Sequence, residues 1–174
     1  MNSPQTSSSK PAAIVRAATA ADFPAILALN EESVHFLSPL TAERLELLDG
    51  QSAAHRVVEA GGVVAAFLLA FREGSAYDSV NYRWFAARYE RFLYIDRVVV
   101  SRAHQGRGLG ALLYGDLFDI ARRTQAGCVT CEFDVEPPNE VSRRFHARYG
   151  FEEVGSQSVG GGAKRVSLQR VVVS

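Results

Sequence analysis

Apolar residues recur along this chain in two rhythms, a period of two and a period near 3.6, and their order predicts most of its elements. IVRAAT, residues 14–19, alternates as a short strand. Thr19, with Asp22 three residues on, makes a capping-box-like start for a helix that buries Ile26 and Leu29. Pro39 disfavours helical geometry in the residue before it, so this helix is expected to end near Leu37. TAERLELLDG, from Thr41 to Gly50, reads as a capped second helix. HRVVEAGGVVAAFLLAF reads as two strands around Gly61 and Gly62, a pair suited to the positive φ of a tight hairpin. From Arg72 to Glu90 no clean period survives, and Tyr77, Tyr82, Trp84, Phe85 and Tyr89 mark a long aromatic loop with room for a helical turn.

RFLYIDRVVV is apolar on nearly both faces, as a central strand of a parallel-containing sheet would be. A period of two places Phe92, Tyr94, Asp96, Val98 and Val100 on one face, with Asp96 its only acid. After a glycine-rich turn, Leu109, Leu112, Leu113, Leu117, Ile120 and Ala121 form a helical stripe. CVTCEFDVE is the next strand, NEVSRRFHARYG a helix closed by Gly150, and FEEVGSQSV with AKRVSLQRVVV a second hairpin around Gly160, Gly161 and Gly162. This order gives a mixed α/β fold with a β-α-β unit over residues 92–135. One domain over residues 14–174 is expected, behind a loose Ser- and Thr-rich tail at 1–13.

The chain has 174 residues, 47% hydrophobic and 22% charged, which fits one soluble globular domain with a sizeable core. Basic and acidic residues number 19 each, so no net field draws a polyanion and a nucleic-acid partner is not expected. No apolar run reaches membrane-spanning length and MNSPQTSSSK lacks a signal-peptide core, so a cytoplasmic location without a membrane partner is expected. Cys128 and Cys131 stand as C-x-x-C with no second pair or histidine set to complete a metal site. On a strand they fall on opposite faces, and two reduced packing thiols are the expectation.

Chemistry concentrates in VVVSRAHQGRGLGALLYGDLF, residues 98–118, where a β-branched strand runs through Gly106, Gly108 and Gly110 into a helix. Bare amides at a helix start cradle anions, although three glycines can also serve only as a tight turn. A P-loop is excluded because Ala111 and Leu112 follow Gly110. A dinucleotide fingerprint would use Glu132 or Asp134 as its distant acid, but a single β-α-β unit late in the chain speaks against it. Arg102 and Arg107 either supplement the amides or stay solvated.

Gln105-Gly106-Arg107-Gly108-Leu109-Gly110 resembles the Q/R-x-x-G-x-G/A signature of the GNAT N-acetyltransferases, and residues 139–151 resemble that superfamily's N-x-x-A/S-x-x-F-Y-x-x-x-G-F helix. The element order from residue 14 onward is also similar to the GNAT fold. IDRVVV and PPN-x-x-S-x-x-F-H are similar to a bacterial GNAT group. The resemblance implies a sheet of about seven strands flanked by about four helices, and acetyl-CoA as co-substrate with no metal. Val98, Val99, Val100, Gln105, Gly106, Arg107, Gly108, Leu109, Gly110 and Ala111 would hold the cofactor, with Asn139 and Ser142 adding to it. An amine of a small molecule or peptide would attack directly, with no covalent enzyme intermediate.

The superfamily often places a general base on the strand holding Asp96, although the usual glutamate position is closer to Tyr94; Asp96 is the candidate base, or it pairs with an arginine. Where the superfamily has a tyrosine acid, this chain has His146, with Tyr149 one turn on as a reserve. By angle, Val141, Phe145 and Tyr149 form an apolar stripe while Asn139, Ser142 and His146 cluster on a polar face expected to meet the ligand. His146 could equally be a hydrogen-bonded packing residue, and Asn139 an N-cap. The aromatic loop is either an acceptor wall or packing over the sheet. A non-catalytic acyl-CoA-binding sensor or interaction module is the alternative function, and a nucleotide-binding regulator a distant third. Strand edges of the C-terminal hairpin could support a homodimer.

Overall fold

The computed structural model describes residues 12–174, so the expected tail lies outside the described residues up to residue 11. The chain runs β1 (Ile14–Ala17), α1 (Phe23–Glu32), α2 (Ala42–Gln51), β2 (Ala54–Ala60), β3 (Val63–Arg72), α3 (Val80–Ala86), β4 (Phe92–Val100) and α4 (Leu109–Arg123). It continues through β5 (Cys128–Glu136), α5 (Glu140–Ala147), β6 (Glu152–Val159) and β7 (Lys164–Val172). The strands form one mixed sheet in the order β1-β2-β3-β4-β5-β7-β6. Among the described residues only β4 and β5 pair in parallel, and α4 is the crossover between them. Seven strands and the β-α-β unit agree with the expectation; the α-helices number five because α3 forms inside the aromatic stretch. Ser79 starts it by accepting the Tyr82 N–H through Oγ at 3.3 Å.

Local signals act as read in most places. Asp22 accepts the Thr19 N–H at 2.8 Å, and Gly61 and Gly62 turn the β2-β3 hairpin with φ of +64° and +79°. Helix α1 gives out at Glu32, five residues before the expected end near Leu37, and residues 33–37 continue as turns. Helix α4 buries Leu109, Leu113, Leu117 and Ala121 against the sheet, but Leu112 is 41% exposed and Tyr114 is buried in its stead. With α5, α4 covers one face, over Leu93, Ile95, Val129 and Cys131; α1, α2 and α3 cover the other, over Phe67, Leu69, Phe71, Phe92 and Tyr94.

A β-bulge in β4 corrects the expected single face. Ile95 pairs with Ala70 and Arg97 with Leu69, which leaves Asp96 as an extra residue with no counterpart in β3. One inserted residue reverses the side-chain alternation beyond it. Val98 and Val100 therefore lie with Leu93 and Ile95 against the α4 side, while Phe92 and Tyr94 point to the opposite face together with Val99. Just ahead of the bulge β4 also loses β5: the parallel ladder runs from Phe92–Cys128 to Tyr94–Thr130 and stops. From there β4 stays with β3 and β5 with β7, so the sheet parts between its two central strands.

Candidate active site

The end of β4 and the start of α4 build one side of this parting. Gly106 and Gly108 take φ of +74° and +79°, and Gly108 is the N-cap of α4 with no side chain capping the helix. First-turn amides of α4 thus lack both a helical acceptor and a cap. A Cβ at Gly106 or Gly108 would stand in open space, whereas one at Gly110 would come 3.3 Å from the Phe145 ring. Gly110 lets α5 close onto α4; Gly106 and Gly108 supply the backbone turn. Gln105 ties that turn to β4 by donating from Nε2 to the Val100 carbonyl at 3.4 Å. Val98–Val100 and Gln105–Ala111 are thereby brought to one end of the parting. An uncapped helix start beside a strand edge without a partner fits a ligand that joins phosphates to an extended amide chain. Arg102 is occupied elsewhere, donating to the Glu32 carbonyl at 2.8 Å, and Arg107 is exposed.

Carboxylates gather on the α1–α3 face. Asp96 accepts from Arg97 Nε at 2.8 Å and from the Tyr77 hydroxyl, and Arg97 also donates to Asn30 Oδ1 at 2.7 Å and to the Ser38 carbonyl at 2.9 Å. Asp96 is thus the arginine-paired residue that its sequence context allowed, with both carboxylate oxygens engaged. On β5, just past the last ladder pair, the Glu132 Oε1 accepts the Tyr94 hydroxyl at 2.9 Å. Its Oε2 is shut off from solvent with no hydrogen-bond partner. Burial above all, with repulsion from Asp96 and Asp134, pushes the Glu132 carboxyl up to about 8, against which the Tyr94 hydroxyl and Asn81 carboxamide act only in part. Among the described residues no Lys, Arg or His lies within 4.0 Å of it in an ion pair. In the sequence Glu132 figured only as a test of nucleotide binding, and its burial beside Tyr94 was not foreseen. The available signal was its place in the alternation, on the strand face that begins with Cys128 and Thr130, ahead of Asp134 and Glu136.

On helix α5 the expected apolar stripe holds at Phe145 and Tyr149, which pack against the core, but not at Val141. Val141 is 82% exposed, and His146, 4% exposed, is the residue that α5 buries. His146 Nδ1 donates to the Ser142 carbonyl at 2.8 Å, which leaves Nε2 to accept the Tyr114 hydroxyl at 2.7 Å. Burial lowers its pKa, so the imidazole is neutral, and the packing histidine is what the structure contains. Asn139 caps the helix, its Oδ1 accepting the Ser142 N–H at 3.1 Å, while Ser142 Oγ lies 3.1 Å from His146 Nδ1. The expected polar face turns inward because β5 supplies Phe133, whose ring stacks on the imidazole at 5.7 Å. Tyr149 packs at 5.9 Å from Phe118 and 4.9 Å from Tyr114, and burial raises its pKa. Asp96 is therefore separated by the sheet from His146 and Tyr149.

Aromatic residues 77–89 are packing: Tyr77, Tyr82 and Phe85 are buried, and the Tyr77 ring stacks on Phe71 at 4.2 Å. Cys128 and Cys131 are free thiols in cores on opposite sides of the sheet. Among the described residues no group of three or more His, Cys, Asp or Glu could hold a metal ion, and no helix is long and apolar enough to cross a membrane.

Residues 18–151 match the family model described as the acetyltransferase (GNAT) family. A phosphinothricin N-acetyltransferase of Streptomyces coelicolor is 42% identical over 64 residues, 34% of this chain and 33% of that protein, so the match spans a third of the relative's length. Solved structures share the architecture at lower identity. An N-acetyltransferase from Staphylococcus aureus Mu50 has a TM-score of 0.72 at 18% identity, covering 94% of this chain and 100% of the other. Ard1 from Thermoplasma volcanium reaches 0.76 at 14% identity, over 94% and 99% of the two chains. Salmonella typhimurium yncA, solved with its cofactor acetyl-CoA, gives 0.71 at 22% identity, over 94% and 95%.

Proposed function

We propose, for a chain that belongs to the acetyltransferase (GNAT) family, that it transfers an acetyl group from acetyl-CoA to the amine of a small molecule or peptide by direct attack. The observation that carries this reading is the parting of β4 from β5 with Glu132 beside it, its Oε2 lacking a partner. The first-turn amides of α4 and the turn from Gln105 to Ala111 would receive the phosphates, and the free edge of β4 around Val98–Val100 the amide chain and thioester.

An aliphatic ammonium has a pKa near 10.4, so it must lose a proton before its nitrogen can attack. Glu132 is the group suited to accept it, because its raised affinity for a proton matches neutral to mildly alkaline conditions. The Tyr94 hydroxyl holds Oε1 and leaves Oε2 for that proton. The amine nitrogen then bonds to the thioester carbonyl carbon, the carbon–sulfur bond breaks with its electrons on sulfur, the nitrogen gives up its second proton to solvent, and the thiolate takes a proton from solvent. Asp96 shapes the acceptor side through Arg97 and Tyr77, while His146 and Tyr149 support α5.

Calorimetry with acetyl-CoA should give saturable binding that is lost when Gly108 and Gly110 are both replaced by valine; unchanged affinity would remove the donor-site reading. Release of free thiol in the presence of an amine tests transfer. The pairing of Asp96 and the engagement of both His146 nitrogens favour a second reading, a non-catalytic acyl-CoA-binding module, which would bind acetyl-CoA yet release no thiol with any amine. The buried thiols of Cys128 and Cys131 suit a reducing, cytoplasmic setting, and β6, an edge strand, is the surface through which a homodimer would pair.

A further inference from the structure

The acceptor side has an uneven charge inventory. Three carboxylates line the face of the parting that α3 and the α1–α2 connection cover: Asp96, Glu132 and Asp134. Two cations answer them. Arg97 is 6% exposed and committed to Asp96, Asn30 and the Ser38 carbonyl. Lys164 bridges Asp134 at 3.0 Å and the His35 carbonyl at 3.3 Å. Glu132 has no cation, and its buried Oε2 has no donor. An arriving ammonium would supply the missing charge and the missing donor together. A carboxylate on the same carbon would meet Asp96 and Asp134 with both nearby cations already engaged, and Glu132 as well once that group ionises, a like-charge juxtaposition that low local dielectric makes costly.

We propose that the acceptor is a primary amine with no carboxylate on its amine-bearing carbon, either a simple alkylamine or arylalkylamine or an amino group whose neighbouring carboxyl is blocked as an amide, and that free α-amino acids are excluded by the Asp96–Glu132–Asp134 set. This rests on the acetyltransferase reading for its kinetics but not for its binding.

Phenethylamine, phenylalanine amide and phenylalanine differ only at that carbon and serve as probes. With acetyl-CoA, the first two should give kcat/KM at least about tenfold above phenylalanine, equivalent to about 1.4 kcal/mol. Calorimetric titration of the same three compounds into protein saturated with CoA should show the same order without any turnover. Asp134→Asn, which frees Lys164 to meet a carboxylate, should narrow the gap between phenylalanine and the other two to a few-fold. Phenylalanine binding as tightly as its amide, or none of the three binding, overturns the proposal. Discrimination in binding with no thiol release leaves it standing and removes the acetyltransferase reading instead.

Discussion

Tyr94 on β4 and Glu132 on β5 meet through a 2.9 Å hydrogen bond just past the last ladder pair, so a side-chain contact takes over where backbone pairing stops. The bond fixes one carboxylate oxygen and leaves the other, shut off from solvent, without a partner. Glu132→Gln keeps the shape and the Tyr94 contact but cannot take a proton, and kcat for thiol release should fall by about 10²-fold. In the unchanged protein, kcat/KM should rise with pH through a limb near 8 that the glutamine variant lacks. A wild-type rate, with the limb intact, would rule Glu132 out as the base.

The same group sets a stability trend. Its carboxyl moves from 4.5 unfolded to about 8 folded, so between those values the folded chain holds a proton that the unfolded chain releases. Stability from this group is therefore complete below about 4.5 and declines as pH rises to about 8. Urea unfolding at pH 5 and pH 9 should show Glu132→Gln gaining on the original chain by more than about 1 kcal/mol at the higher pH.

Asp22 works in the opposite sense. Its hydrogen bond from Arg16, at 2.8 Å, holds its carboxyl well below the usual carboxylate range, as do the bonds from Thr19. That contribution is present above the ordinary carboxylate pKa and is lost as pH falls through the lowered one. Asp22→Asn should cost about 1–2 kcal/mol at pH 7 by denaturant midpoint, through the capping box and the ion pair together, and the difference should shrink as acid protonates the native aspartate.

On the other face, Tyr114→Phe would leave His146 Nε2 buried without its donor, which should cost about 1–3 kcal/mol. The imidazole signals of His146 in the unchanged chain should not titrate near 6.5 but only at lower pH. A titration at 6.5 or above would contradict the neutral packing role.

Gly110→Ala should also destabilise the fold, by about 1–3 kcal/mol, because the new methyl sits 3.3 Å from the Phe145 ring. Thermal unfolding reads that loss directly. An unchanged midpoint would show that α5 shifts freely.

Elements set by local chemistry were legible in advance: the Gly61–Gly62 hairpin, the Thr41 cap of α2, and the crossover from β4 through α4 to β5. What escaped depends on partners distant in sequence. The bulge at Asp96 is invisible in RFLYIDRVVV because it exists only against β3, and it reverses the faces of Val98 and Val100. Helix α5 offers both Val141 and His146 as candidates for burial, and Tyr114 and Phe133, from two other elements, select the histidine. Glu132 alternates like any exposed strand acid until α3 covers it and Asn81 and Tyr94 close around it.

The short β4–β5 ladder makes the sheet two panels on a narrow hinge. One panel is β1-β2-β3-β4, the other β5-β7-β6, and backbone pairing joins them over only Phe92–Tyr94 and Cys128–Thr130. Whatever lodges between the panels serves as mortar, adding to cohesion that the backbone does not itself supply at that seam. Heat resistance and donor occupancy should therefore rise together, and amide exchange along the seam should slow more than anywhere else in the sheet when the donor is present.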